Sequence, residues 1–327
     1  MSKLLSRPKV LLAVMALGIL GIVGLIGGTL GEAFGGGFLS GPLAHIQLPA
    51  EALTEHPLVS LGPLGDFAIT NTMAATWLTI FALLVFSLFA TRKVSLVPSG
   101  LQNLAEMVLE AFLNLAENVA GKSARRFFPL VMTIFLFVMA ANWLGILPGF
   151  GTIGFVDHHE ISHFRETHIL GIRILYLGFG THEGAVVGFL RSANTDLNSS
   201  LALALIAMVM VEYWGIRSNG FFSYAGRFLN VNRLAKGQIA GVLDLFVGLL
   251  EAISEIARVI SFTFRLFGNI FAGEVLLAAM ALLVPLVGLV PFLGLELFVG
   301  LIQAFIFAML TLVFATMASV SHKGEEH

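Results

Sequence analysis

Long apolar runs constrain the fold of this sequence more than any other feature. Runs of about 20 residues recur between residues 10 and 319, and a helix of that length crosses the ~30 Å hydrocarbon core of a bilayer. Only 12% of the residues are charged, whereas soluble globular proteins carry about 25%. The ten-residue alternating segments of a membrane barrel are not found. The pattern therefore predicts an all-α polytopic membrane protein.

The apolar runs predict six membrane helices. Their approximate bounds are 10–30, 68–90, 127–147, 197–216, 239–283 and 292–319. Residues 101–126 have apolar side chains at helical spacing, which is typical of an amphipathic helix on the membrane surface or against a neighbour. Pro285 and Pro291 bracket a turn between the last two spans, so these are expected to form a long, tilted C-terminal helical hairpin.

The chain is expected to form a single membrane domain, 1–327, and it contains no internal repeat. Residues 1–67 hold the first helix and a connecting loop, and the basic flank of that helix fits either a retained span or a cleaved secretory signal. Core helices and the amphipathic helix fill 68–148, a polar loop fills 149–195, and 196–327 hold the remaining helices.

Basic residues predict the orientation of the six spans. Thirteen of the 18 Lys and Arg residues fall on one side, three fall on the other, and Arg258 and Arg265 lie within the fifth span. The positive-inside rule places the thirteen-residue side, with both termini, in the cytoplasm. The chain has no cysteine, which excludes disulfides, thiolate metal sites and a cysteine nucleophile.

A row of ionisable side chains follows the fifth span. Asp244, Glu251, Arg258 and Arg265 recur every seven residues, which keeps them on one slowly drifting helix face. At ~1.5 Å per residue the row is ~31 Å long, about the hydrocarbon thickness. A charge at the bilayer centre costs ~2.5 kcal/mol or more, so Arg265 marks a functional site by default. Polar residues on or near the same face are Ser254, Ser261 and Asn269.

The sixth span carries Glu296 and Gln303, again seven residues apart. An antiparallel hairpin would bring Glu296 to the depth of Glu274 and Gln303 to the depth of Arg265. A Gln amide can hydrogen-bond a guanidinium without neutralising it, which leaves the positive charge available to another carboxylate. Buried ion pairs that fix helix register are the alternative, but polar positions ordered along two helices favour an ion pathway.

Four motifs give the chain a family resemblance. They are NWLGILP at 142–148, TDLN at 195–198, RLFGNIFAGE at 265–274 and LIQAFIFAMLT at 301–311. In this order they resemble subunit a of the rotary, F-type ATP synthases. The resemblance covers roughly 68–148 and 194–322.

The resemblance implies roles for single residues. Arg265 matches the essential arginine that faces the carboxylate on each passing helix of a c-ring and blocks a direct leak between two offset half-channels. Path-lining residues implied near it are Asn269, Glu274, Glu296 and Gln303, of which the two glutamates lie on the periplasmic access side. Glu251 is implied toward the cytoplasmic exit, with Asp244, Ser254, Arg258 and Ser261 as weaker members, and Asp196 and Asn198 flank the periplasmic channel.

The resemblance also implies the cellular context. Expected partners are c-ring subunits, peripheral-stalk b subunits, other ATP synthase subunits and lipid, without nucleic acid, in a bacterial-type inner membrane. No cofactor is expected, and the chain lacks a phosphate-cradling GxxxxGK[ST] loop for chemistry on ATP. Many members carry His at one of the positions of Glu274 and Glu296, so the relay order of these two carboxylates stays open. The choice between H⁺ and Na⁺ also stays open.

Two other functions are compatible with parts of the sequence. His159 and His163 complete an HExxH pattern, the signature of zinc peptidases, but the surrounding segment is polar and lies outside the long apolar runs. We reject these residues as a catalytic metal site. A secondary transporter or proton channel with an Arg–Glu relay would be built from two repeated halves, which this sequence lacks.

Overall fold

A computed structural model gives the protein's fold. It describes residues 15–23, 49–53, 59–60, 66–92, 94–147, 150, 154–156, 166–169, 172–175, 186–228, 240–283 and 286–320. Residues 15–23 are helical, and seven further helices have defined ends within the described ranges. They are α1 (Asn71–Thr91), α2 (Leu101–Ala120), α3 (Ala124–Ile146), α4 (Leu197–Asn219), α5 (Phe221–Phe228), α6 (Ala240–Leu283) and α7 (Val290–Ser319). Single 3₁₀ turns occupy Gly121–Ser123, Ala193–Thr195 and Leu286–Leu289.

Short antiparallel strand pairs occur in segments that the sequence predicts as loops. β1 (Val59–Ser60) pairs with β2 (Asp66–Phe67), β3 (Gly154–Val156) with β6 (Val186–Gly188), and β4 (Glu166–Ile169) with β5 (Ile172–Leu175). None of these strands is longer than four residues. The described architecture is therefore helical, and its strands are confined to connecting segments.

Four described segments are long and apolar enough to cross a membrane. They are Asn71–Thr91, Leu101–Ile146, Leu197–Asn219 and Val290–Ser319, of which the second joins α2 and α3. The chain is thus a multi-pass membrane protein. The count of six spans stays a prediction, since most of the first predicted span lies outside the described residues.

The fifth predicted span is one continuous helix. α6 runs through 44 residues from Ala240 to Leu283. It carries the whole row of four ionisable residues that are spaced seven apart, from Asp244 to Arg265. At ~1.5 Å per residue it is ~66 Å long, about twice the hydrocarbon thickness. The predicted length of this element is confirmed.

α2 forms where the sequence predicts an amphipathic helix, and only part of its apolar face is buried. It lies between Gly100 and Gly121, whose φ angles of +59° and +55° suit glycine because it has no Cβ. The side chains it buries are Gln102, Phe112, Ala116 and Ala120. Of the apolar residues at helical spacing, Phe112 is thus buried, whereas Leu101, Leu104 and Leu115 are exposed. Its position on the membrane surface stays a prediction.

The described chain packs into two compact units. The first takes its residues from within 1–77, 142–195 and 269–300, and the second from within 78–141, 196–268 and 301–327. In the second unit, Arg258 lies over the ring of Phe314 and Phe262 packs edge-on against Phe307. Residue 258 of α6 meets residue 314 of α7, and the later residue 262 of α6 meets the earlier residue 307 of α7. The two helices therefore run antiparallel there, as the sequence predicts.

Candidate functional site

Arg265, in the second unit, is the last residue of the row on α6. Its Nη2 lies 3.5 Å from the hydroxyl of Ser261, and its Cζ lies 5.9 Å from the ring centre of Phe262. Within the described part of the chain, no carboxylate forms an ion pair with this guanidinium. The side chain is half-buried, so its charge stands on the flank of an apolar helix without a fixed neutralising group.

Gln303 lies at the level of Arg265 within the second unit. The ring centres of Phe262 on α6 and Phe307 on α7 are 4.7 Å apart. Since the helices are antiparallel, Leu266, four residues after Phe262, lies level with Gln303, four residues before Phe307. Gln303 is only 2% exposed and Leu266 is fully buried. The amide is therefore one helix position from Arg265 in depth, which fits the relation proposed from the sequence.

Arg258 belongs to a local ion pair that the sequence reasoning missed. Its Nη1 contacts Oε1 of Glu255, three residues earlier in α6, and its Cζ lies 4.7 Å from the ring centre of Phe314 on α7. Both charged side chains are largely shielded, being 22% and 16% exposed. The (i, i+3) spacing was the available signal, but Glu255 is off the seven-residue row. Arg258 is thus neutralised and helps to hold α7 against α6.

The remaining members of the row differ in exposure. Asp244 and Glu251 are half-buried, whereas Ser254 and Ser261 are exposed. All four lie on α6 in the second unit. This distribution leaves two carboxylates partly shielded and two hydroxyls at the helix surface.

In the first unit, Glu274 is held by a residue absent from the sequence-based site. The Nε of Arg191 donates to both carboxylate oxygens at 3.0 and 3.1 Å, and Nη2 donates to Oε2 at 2.9 Å. The Arg191 side chain is 8% exposed and that of Glu274 is 33% exposed. Arg191 lies 83 residues before Glu274, so no local spacing could reveal this pair.

Glu296 lies against the backbone of α6 at Gly273. A Cβ atom at Gly273 would overlap both carboxylate oxygens, so the missing side chain leaves the space that the carboxylate fills. Glu296 is 7% exposed. Since Gly273 directly precedes Glu274, Glu296 reaches the depth of Glu274, as the antiparallel hairpin predicts. Asn269, also in this unit, is exposed.

A chain of amide hydrogen bonds runs beside Glu296. Asn194 donates to Oδ1 of Asn142 at 2.7 Å, and Asn142 donates to the carbonyl oxygen of Gly300 at 3.1 Å. Trp143 donates from Nε1 to the carbonyl of Leu297 at 3.1 Å. These bonds join the end of α3 to α7. Asn142 belongs to the NWLGILP motif, but its amide partner Asn194 could not be inferred from sequence distance.

Asp196 caps a helix. Its side chain accepts a hydrogen bond at 2.9 Å from the backbone N–H of Asn198 and so satisfies a free donor at the start of α4. Asp196 is 8% exposed, whereas the Asn198 side chain is exposed. The described role of Asp196 is therefore structural, and a part in a channel stays a prediction for both residues.

The segment before α1 closes over Arg191 in the first unit. Pro49 accepts a 3.4 Å bond from Nη1 of Arg191 through its carbonyl. Residues 51–53 pair with 69–71 through bonds from Leu53 to Ile69 and from Asn71 to Glu51. The Asn71 side chain also donates to Oε2 of Glu51 and to the carbonyl of Gly188, each at 3.3 Å. The segment that contacts Arg191 through Pro49 is thus itself tied to the start of α1.

The described residues contain no cluster of three or more His, Cys, Asp or Glu side chains that could hold a metal ion. His159 and His163, which form the HExxH pattern, lie outside the described residues.

Comparison with known proteins identifies relatives over most of the chain. The family model described as ATP synthase A chain matches residues 73–316. An ATP synthase subunit a from Gloeobacter violaceus is 34% identical over 276 residues, which cover 84% of this chain and 93% of the relative. Proteins of the same description from Helicobacter pylori and Campylobacter concisus are 34% and 32% identical, each across 76% of this chain, and are covered over 88% and 89% of their own lengths.

Proposed function

Because the chain belongs to the ATP synthase A chain family, we propose that it is the stator subunit through which protons cross the membrane. As a member of this family it is a membrane-embedded component of ATP synthase and associates with other subunits of that complex. In the proposed mechanism it forms two offset half-channels against a rotating c-ring. Proton flow through them is coupled to ATP synthesis, and the chemistry on ATP takes place outside this chain.

The observation that carries this proposal is the unneutralised charge of Arg265. A ring carboxylate must be neutral while it faces lipid and ionised while it faces the stator, because burying an unpaired charge in hydrocarbon is costly. Arg265 has no ion-pair partner among the described residues, so its charge is available to each carboxylate that passes. A fixed cation between two half-channels also opposes a direct leak of protons. The membrane potential supplies ~2.3 kcal/mol per charge per 100 mV to drive the flow.

Polar residues on either side of Arg265 form the two routes in this proposal. Glu274, Glu296 and Asn269 belong to the periplasmic access route, near which Asp196 and Asn198 begin α4. Toward the cytoplasmic exit lie Glu251, Asp244, Ser254 and Ser261. Gln303 stands beside Arg265, where its amide can orient the guanidinium without cancelling its charge. Arg258 supports the exit side as the partner of Glu255.

The proposal also fixes the partners and the orientation. The c-ring faces Arg265, peripheral-stalk b subunits hold the chain in place, and both termini lie in the cytoplasm of a bacterial-type inner membrane. Exposed apolar side chains on α1 fit a lipid-facing surface, including Phe81 at 65% and Leu88 at 69% exposure.

Replacement of Arg265 tests the proposed function. In inverted membrane vesicles that contain the whole complex, Arg265→Ala is expected to lower ATP-driven proton pumping at least about tenfold, equivalent to ~1.4 kcal/mol or more. ATP hydrolysis and the amount of assembled complex should remain, because the substitution removes a charge without leaving a buried acid unpaired. Fluorescence quenching of a pH-sensitive dye measures pumping, and immunoblotting measures assembly.

Arg217→Ala is the matched control. Arg217 lies in the last turn of α4 and donates to the hydroxyl of Tyr213 at an exposed site. Its loss should leave pumping unchanged. Normal coupled pumping by Arg265→Ala would overturn the proposed function, and proton conduction by the purified chain alone in liposomes would favour a self-sufficient channel instead.

A further inference from the structure

Glu274 and Glu296, both in the first unit, have different surroundings. Glu274 accepts three hydrogen bonds from Arg191 at 2.9–3.1 Å, whereas Glu296 lies against Gly273 and makes no hydrogen bond or ion pair with any described residue. This difference concerns which of the two acids carries an exchangeable proton.

Arg191 is fixed in place on several sides. Its guanidinium also donates to the carbonyl of Pro49 at 3.4 Å and lies 5.9 Å from the ring centre of Phe271. The side chain is 8% exposed. A guanidinium keeps its proton throughout the accessible pH range, so this buried charge is permanent.

A permanent buried cation needs a permanent counter-charge. If Glu274 took up a proton, the guanidinium would keep its charge and lose the acid that balances it, which is strongly unfavourable at a shielded site. Glu51, another described acid of the first unit, accepts a hydrogen bond from Asn71, whereas three hydrogen bonds join Arg191 to Glu274. Glu274 is therefore the carboxylate that Arg191 retains as an anion.

Glu296 has no such restraint. It is 7% exposed, and no described cation would lose a partner when its carboxylate became a neutral acid. The group shown beside its carboxylate is the backbone at Gly273, which carries no charge. A carboxyl group in this setting can accept a proton and release it again.

We propose that Arg191 is a positioning residue that fixes Glu274 as a permanent anion, so that Glu296 carries the exchangeable proton on this side of the ion path. The proposal rests on the proposed function and adds a division of labour between the two acids. Glu274 then shapes the electrostatic potential of the access route without itself being protonated during transport.

The test compares single and paired substitutions in the whole complex, with pumping in inverted vesicles expressed per assembled complex. Arg191→Gln and Glu274→Gln should each lower pumping about tenfold, because each leaves one buried charge without its partner. The pair Arg191→Gln with Glu274→Gln should recover at least about half of normal pumping, because it removes both charges together. Glu296→Gln should lose pumping about tenfold, alone or combined with that pair.

Two further variants separate positioning from a purely structural role. Arg191→Lys keeps the charge and should retain pumping, whereas a loss equal to that of Arg191→Gln would count against an electrostatic role. Arg125→Gln is the matched control, because Arg125 pairs with Glu117 at 2.9 Å in an exposed site where an ion pair contributes little. It should pump normally.

The paired variant decides the outcome. If it assembles but pumps no better than Glu274→Gln, the carboxylate of Glu274 is itself needed as a relay and the proposal is wrong. If it does not assemble, the charge exchange Arg191→Glu with Glu274→Arg replaces it, and loss of assembly in both would show a role in folding alone and also overturn the proposal. The proposed function is tested separately by Arg265→Ala, whose result does not depend on these variants.

Discussion

At the scale of single residues, Gly273 shows how a missing side chain can place a charged one. Helices lose stability at glycine relative to alanine by roughly 1 kcal/mol, so a glycine inside α6 needs a packing reason. The reason here is the Glu296 carboxylate, which occupies the volume that a Cβ would take. The AGE sequence at 272–274 therefore joins a space for one acid to the second acid beside it.

Gly273→Ala should move the Glu296 carboxylate while preserving the fold. The overlapping atoms are the far end of a flexible side chain, which can rotate away, so we expect a stability change within ~1 kcal/mol. Pumping should fall several-fold, because the relocated carboxylate no longer meets its proton donors and acceptors in the right geometry. Pumping and thermal unfolding of the complex measure the two effects.

Gly294→Ala is the control for that substitution. A Cβ at Gly294, on α7, meets no atom within 4 Å, so this variant should pump normally and be as stable as the parent or slightly more so. Equal pumping by the Gly273 and Gly294 variants would show that the position of the Glu296 carboxylate is not critical.

At the scale of elements, helix type and extent follow closely from the sequence. The predicted runs 68–90, 127–147, 197–216 and 292–319 correspond to α1, α3, α4 and α7 with ends shifted by a few residues, because composition and length decide whether a segment can span a bilayer. The full set of buried side chains on α2 could not be predicted in this way. The ring centre of Phe112 lies 4.9 Å from that of Phe135, and the alanines at 116 and 120 allow the helices to approach closely. The exposed leucines of α2 can face lipid without an energetic cost.

Contacts between residues that are distant in the chain could also not be predicted from the sequence patterns. Seven-residue spacing identified the α6 row, but Arg191 and Glu274 are 83 residues apart, and Asn142 and Asn194 are 52 apart. Periodicity reports which face of one helix is polar and carries no information on which loop side chain reaches it. The family motifs contain Glu274 and Asn142, but they include neither Arg191 nor Asn194 and do not reveal the pairing.

The link between α3 and α7 can be tested at Asn142. Asn142→Ala removes two hydrogen bonds at a buried site, one from Asn194 and one to the carbonyl of Gly300, so we expect a loss of ~1–3 kcal/mol in stability. Thermal unfolding of the purified complex should detect it. Asn103→Ala, which removes an exposed amide from α2, should have almost no effect. An equal change in both variants would show that the hydrogen bonds of Asn142 add no stability.

At the scale of the whole molecule, the absence of cysteine makes orientation directly measurable. A single introduced cysteine is the only thiol in the chain, so its reaction with a membrane-impermeant reagent reports its own side of the membrane. Lys122 and Leu147 are both exposed and lie at opposite ends of α3.

We expect Lys122→Cys to react in inverted vesicles and Leu147→Cys to react in right-side-out vesicles, because the basic residues near Lys122 favour the cytoplasmic side. Detergent-solubilised samples, in which both thiols should react, provide the control for accessibility. The reverse labelling pattern would invert the proposed orientation and exchange the access and exit routes.

The different pairing of the two arginines of α6 determines the range of their electric fields. Arg258 and Glu255 together form a dipole, whose potential fades quickly with distance, whereas Arg265, with no described counter-ion, behaves as a monopole. At an effective dielectric constant of ~20, a unit charge attracts an opposite one ~10 Å away by about 1.7 kcal/mol, roughly three times the thermal energy. A carboxylate carried past this helix would thus be attracted by Arg265 well before contact. The paired Arg258 would attract the same carboxylate only weakly at that distance.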